Sequence, residues 1–180
     1  MVVTLIGYRG CGKTTVARLL AQRLAWEHSD ADEEVERAAG RTIRAIFDNS
    51  GEAEFREQER QVMAQLLSRE KLVISAGGGA VLDEGTRRAI KKAGPVVWLT
   101  AAAETLWNRI QQDASTSEQR PDLTTGGGRV EVETLLAQRT PLYRECASVT
   151  IATDDETAES IVGRILDAVG DEISEGRPSS

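Results

Sequence analysis

Lys13 and Thr14 end the string Gly7-Tyr8-Arg9-Gly10-Cys11-Gly12-Lys13-Thr14, which fits the pattern G-x-x-x-x-G-K-[ST]. A loop of this kind cradles phosphates. Its glycines let backbone N–H groups point inward, and the helix that follows adds partial positive charge at its N-terminus. In that role Lys13 neutralises the β- and γ-phosphates of a nucleotide, and the Thr14 hydroxyl ligates Mg2+. Gly10, Cys11, Gly12 and Thr15 complete the nucleotide-binding stretch.

Further chemistry-bearing residues lie in four places. Asp30 and Asp32 stand two apart; one carboxylate near the loop's Mg2+ can order its water shell, and the other can accept hydrogen bonds from substrate hydroxyls. Asp30 with Glu33 also has capping-box spacing, and the adjacent phosphate loop favours the functional reading. Gly77-Gly78-Gly79 follows the run Val73-Ile74-Ser75-Ala76, either as a close approach of backbone to ligand or as a tight turn. Ser75 stands in the region where many such proteins carry a metal-binding Asp, which leaves the metal to Thr14 and Asp30. Arg56 and Arg139 carry guanidinium forks suited to a carboxylate. Arg56 is also four residues from Glu52, and residue types alone favour a surface ion pair there. Residues 113–129 hold Arg120 and are nearly devoid of apolar side chains. They read as a plain connector or as a lid that excludes water and brings Arg120 to the transferring phosphoryl.

Strands and helices must alternate to position these groups. Val2–Ile6 reads as a buried strand, and residues 14–25 as a helix with Val16, Leu19, Leu20 and Leu24 on one face. Strands are predicted at 27–30, 72–74, 96–99 and 149–151, with helices at 32–39, from Thr42, at 51–69, 83–93, 102–112, 130–145 and 156–169. Pro141 is expected to bend or restart its helix. The fold class is therefore α/β, with a parallel sheet covered on both faces. In such sheets ligands sit beyond the strand C-terminal ends, where the three suspect loops would gather. Residues 1–170 form one domain in this reading, and 171–180 a flexible polar tail.

Bulk properties set bounds. The formal charge is -7, and residues 154–175 hold eight acids against one base, Arg164. The imbalance belongs to the C-terminal segment, so an anion-binding cleft elsewhere is allowed, while nucleic acid is not the expected partner. No apolar stretch is long enough for a membrane span. Cys11 and Cys146 make no disulfide framework, and no basic leader precedes the first strand, so a cytoplasmic location is expected. His28 and the three tryptophans are expected to pack.

Together these pieces resemble the shikimate kinases, over nearly the whole chain from the phosphate loop to Tyr143. The most diagnostic stretch is Gly51-Glu52-Ala53-Glu54-Phe55-Arg56 with Glu59 following, similar to the family's G-E-x-x-F-R-x-x-E. It is joined by Asp30-x-Asp32, Gly77-Gly78-Gly79-Ala80, Arg120-Pro121 and Arg139-x-Pro141-Leu142-Tyr143. The resemblance implies a P-loop fold of the nucleoside-monophosphate-kinase type, with a five-stranded parallel sheet and a mobile lid, usually monomeric. It implies MgATP-dependent phosphorylation of the 3-hydroxyl of shikimate, within aromatic amino-acid biosynthesis. By the same resemblance Asp32 binds the shikimate hydroxyls, Arg56 and Arg139 clamp the carboxylate, and Gly77, Gly78 and Gly79 pack against the ring. Asp30 holds Mg2+ beside Thr14, Lys13 and Arg120 stabilise phosphoryl charge, and Arg109 lies along the adenine. A gluconate- or nucleotide-type kinase and a non-catalytic nucleotide-binding module are the competing readings; the paired arginines favour a carboxylate substrate, and the presence of Lys13 and Asp32 favours catalysis. Tyr8, Arg9 and Cys11 depart from the smaller or neutral loop residues common in relatives, and 154–156 lacks the Arg or Pro sometimes found near adenine.

Overall fold

The computed structural model describes residues 1–112 and 128–175. Val2–Ile6 forms β1, and every residue of it is buried. Buried strands of this kind carry apolar side chains on both faces. Val3 and Leu5 face one core, while Val2 and Ile6 face the other. β2 (Glu27–Asp30), β3 (Leu72–Ser75), β4 (Val96–Thr100) and β5 (Val149–Ala152) complete a sheet of order β2-β3-β1-β4-β5, with all pairings parallel.

Helices cover both faces. α1 (Lys13–Leu24) and α7 (Ala158–Glu175) pack against each other on one side. α2 (Ala31–Ala39), α3 (Ile43–Leu67) and α4 (Glu84–Ala93) contribute to the core on the other. α5 (Ala103–Gln112) lies against α6 (Gly128–Cys146). Among the described residues no helix is long and apolar enough to cross a membrane.

Local signals explain the boundaries. Gly12 precedes α1 with φ 87, and Ala25 ends the helix in the left-handed region, its N–H bonded to Ala21 O. Asp30, Thr42 and Asp83 each cap a following helix through a side-chain oxygen. α3 is broken at Gly51 (φ 81, ψ 174), so a short Thr42-capped helix and a longer one beginning at Gly51 meet there, as the spacing predicts.

Two expectations need correction. α6 does not restart at Pro141 but continues as one helix to Cys146. Val132, Leu135, Arg139, Tyr143 and Cys146 are buried along it at helical spacing, and that packing outweighs the missing N–H. α7 continues to Glu175, past residue 170, because Ile173 still reaches the core at 9% exposure. Of the segment 113–129 read as a lid, only Gly128 and Arg129 are described, and they open α6. The remainder, Arg120 included, lies outside the described residues.

Candidate active site

The strand C-terminal ends carry the candidate residues. β1 runs into the phosphate loop, β2 into Asp30 and Asp32, and β3 into Gly77–Gly79. Asp30 and Ser75 are register partners on neighbouring strands, which sets the second and third loops side by side. Gly7 (φ 143) allows the first loop to turn where it does, since a Cβ there would collide with Leu99 O.

Lys13 folds over its own loop: Nζ donates to the carbonyls of Gly7 at 2.9 Å and Tyr8 at 3.0 Å. Its ammonium also lies 3.8 Å from the buried Cys11 Sγ. Gly10 O accepts from Arg109 Nη1 at 3.4 Å, and Thr15 is exposed at the start of α1. The Thr14 hydroxyl donates to Asp30 Oδ2 at 2.8 Å and lies 3.4 Å from Ser75 Oγ. Asp30 Oδ1 accepts the Asp32 N–H at 3.0 Å. Asp30 therefore caps α2 with one oxygen and meets Thr14 with the other. A hydroxyl and a carboxylate are the oxygen donors that suit Mg2+, a hard cation that keeps several waters. Among the described residues there is no cluster of three or more His, Cys, Asp or Glu that could hold a metal ion by protein groups alone.

The two arginines converge on the triple glycine. Arg139, 6% exposed, donates from Nη1 to Gly78 O at 3.2 Å. A Cβ on Gly79 would collide with the Arg56 guanidinium, so glycine is what admits the cation there. Arg56 is held on both sides: Nη1 donates to Glu59 Oε2 at 2.6 Å, and Nε and Nη2 donate to Glu52 Oε1 at 3.2 and 3.1 Å. A cavity of about 270 Å3 adjoins this arginine, lined also by Glu59, Gly79, Asp83 and Thr86.

Arg109 bridges two loops. Its Nη1 donates to Thr153 Oγ1 at 3.1 Å, and its Nη2 donates to the carbonyls of Thr153 at 2.6 Å and Asp154 at 3.2 Å. The Asp154 carboxylate accepts from Ala102 N and Thr105 Oγ1, both at 2.8 Å. The Ala102 N–H chiefly, with Thr105 and Arg109, holds that carboxyl below the usual carboxylate range.

Several supporting residues carry weaker signals in the sequence. Glu59 is 3% exposed and braces Arg56 from one turn along the same helix. Tyr143, one turn beyond Arg139, donates its hydroxyl to the same Gly78 O at 2.6 Å and stacks on Trp98 at 5.8 Å between centroids. Burial pushes that phenol far above its ordinary pKa, so it acts as a fixed neutral donor. The spacings Arg56–Glu59 and Arg139–Tyr143 are visible in the sequence; the burial that makes them matter is not. Arg9 pairs with the buried Glu131 of α6 at 3.5 Å, which no spacing announces.

A phosphate loop, an Asp-x-Asp and two arginines on a glycine turn thus share one end of one sheet. The shikimate kinase family model matches residues 9–170. This chain belongs to the shikimate kinase family. Among relatives, the shikimate kinase of Rhodopirellula baltica is 39% identical over 171 residues, spanning 95% of this chain and 91% of that protein. That of Ruegeria pomeroyi is 42% identical over 168 residues, spanning 93% of this chain and 84% of that protein. Among solved structures, a shikimate kinase from Acinetobacter baumannii in complex with shikimate superposes with a TM-score of 0.88 at 37% identity. It covers 95% of this chain and 93% of its own. The fold is the α/β P-loop fold of nucleoside-monophosphate-kinase type, and the family is one of ATP-dependent kinases.

Proposed function

We propose that this chain transfers the γ-phosphoryl group of MgATP to the 3-hydroxyl of shikimate, giving shikimate 3-phosphate and ADP on the route to chorismate and the aromatic amino acids. The observation that carries the reading is the convergence of Arg56 and Arg139 on Gly78 and Gly79, one strand from the phosphate loop. Two guanidinium forks at a glycine floor suit a small ring that bears a carboxylate.

The residue roles follow from what each group can do. Phosphoryl transfer needs positioning and charge stabilisation more than covalent chemistry. Lys13 Nζ would exchange its carbonyl partners for oxygens of the β- and γ-phosphates. Thr14 and Asp30 would hold Mg2+, which when bound supplies neutralising charge at the phosphates. Asp32, at the first turn of α2, would orient the acceptor hydroxyl and receive its proton. Arg56 and Arg139 would anchor the carboxylate, while the buried Gly77, Gly78 and Gly79 would let the ring approach backbone. Gly10, Cys11, Gly12 and Thr15 would line the nucleotide phosphates, and Arg109 the adenine edge. Arg120 would complete the charge on the phosphoryl side. The enzyme would act as a cytoplasmic monomer.

A coupled ADP-release assay with MgATP and a panel of acceptors tests this. Turnover with shikimate, and little with gluconate or a nucleoside monophosphate, is the expected result. A preference for either of the other two would overturn the substrate, and nucleotide binding without transfer to any of them would overturn the activity.

A further inference from the structure

Tyr8 belongs to the phosphate loop, yet its ring lies against a cation of the acceptor side. The residue is 2% exposed, and the guanidinium carbon of Arg139 stands 5.7 Å from its ring centroid. The Arg9 guanidinium carbon approaches the same ring at 6.0 Å. Burial raises the Tyr8 phenol above its ordinary pKa against the pull of both arginines, so the ring stays neutral. A neutral aromatic face attracts a guanidinium through its quadrupole, and more strongly where water is excluded.

Arg139 is otherwise held from one side, by Gly78 and the neighbouring Tyr143 side chain. Nη1 donates to Gly78 O, whose other contact is the Tyr143 hydroxyl. Hydrogen bonds along one edge anchor a guanidinium there and define its plane less firmly than an aromatic face set against it does. The Tyr8 ring supplies such a face on Arg139, and a bidentate carboxylate contact depends on the plane. We propose that Tyr8 is a positioning residue for the acceptor clamp, holding the plane of Arg139 so that its remaining N–H donors meet the acceptor carboxylate. The inference rests on the proposed role of Arg139 as a carboxylate anchor.

The test uses initial rates with shikimate at saturating MgATP, with MgADP affinity measured in parallel. Tyr8→Phe keeps the ring face, and Tyr8→Leu fills the space without one. Tyr8→Leu is expected to raise KM for shikimate about tenfold while KM for MgATP and MgADP affinity stay within about twofold. Tyr8→Phe is expected to retain the original KM. In an Arg139→Ala background Tyr8→Leu should add no further loss, because the partner is gone. A series of phenylalanines with increasing fluorine content at position 8 weakens the ring face at nearly constant shape, and KM for shikimate should climb stepwise along it. A flat fluorine series, equal losses for both substrates, or the same loss with and without Arg139 would overturn the inference. Arg139→Ala leaving KM for shikimate unchanged would instead overturn the clamp itself, so the two failures are distinct.

Discussion

Asp30 shows how one side chain can answer two readings of its sequence position. Its Oδ1 caps α2 and its Oδ2 accepts from Thr14, so the helix cap and the proposed metal-side role fall to one carboxylate. Arg56 repeats the lesson. The ion pair with Glu52 expected from four-residue spacing is present, and the remaining guanidinium nitrogen goes to Glu59, which packing has buried. Such pairing keeps the fork in place before any acceptor arrives, at the cost of two acids near the proposed anion site. Lys13 is different, because its present partners are neutral carbonyls that a phosphate oxygen outcompetes. Lys13→Met should therefore lower kcat by about 10²–10³, the loss that follows removal of one preorganised donor in a protected site. Single-turnover rates at saturating MgATP check this, and a loss confined to KM for MgATP would count against it.

Among the elements, β1, β3, β4 and β5 are the most legible, since short apolar runs leave few alternatives, whereas the polar β2 (Glu27–Asp30) carries no such signal. Helix starts were nearly as clear where an acid or threonine caps them. What could not be read was the strength of tertiary packing. Pro141 should interrupt a lone helix, yet Arg139 and Tyr143 fasten the same turn to Gly78. Ile173 extends α7 for the same reason. The caps also make a pH prediction. The Thr86 N–H chiefly, with the Thr86 hydroxyl, holds Asp83 below the usual carboxylate range despite some burial, and Ala102 does the same for Asp154. A carboxyl with a depressed folded pKa binds fewer protons when folded. It contributes stability above its unfolded value, about 3.9, and loses that contribution as pH falls through the folded value. Melting temperature measured from pH 6 down to pH 3 should drop less steeply in Asp83→Asn and Asp154→Asn than in the parent, since Asn keeps an acceptor and does not titrate. Parallel slopes in all three proteins would contradict the assignment.

At the scale of the molecule, the site is a product of strand order. β1 lies between β3 and β4, so the phosphate loop and the triple glycine emerge from adjacent strands although many residues separate them. Arg56 comes from α3 and Arg139 from α6, on opposite sides of that glycine turn in sequence. Periodicity predicts each element and is silent on this meeting; the motif resemblance supplied it, because a family's motifs carry information about a fold already solved. In the proposed reaction both guanidiniums serve the acceptor and not the nucleotide. Steady-state kinetics of Arg56→Ala with shikimate and MgATP varied in turn tests it most directly. The account predicts a rise in KM for shikimate of about 10²-fold, as expected when one charged hydrogen-bonding partner of an anion is removed, with KM for MgATP nearly unchanged. Equal rises in both constants, or a rise for MgATP alone, would contradict it.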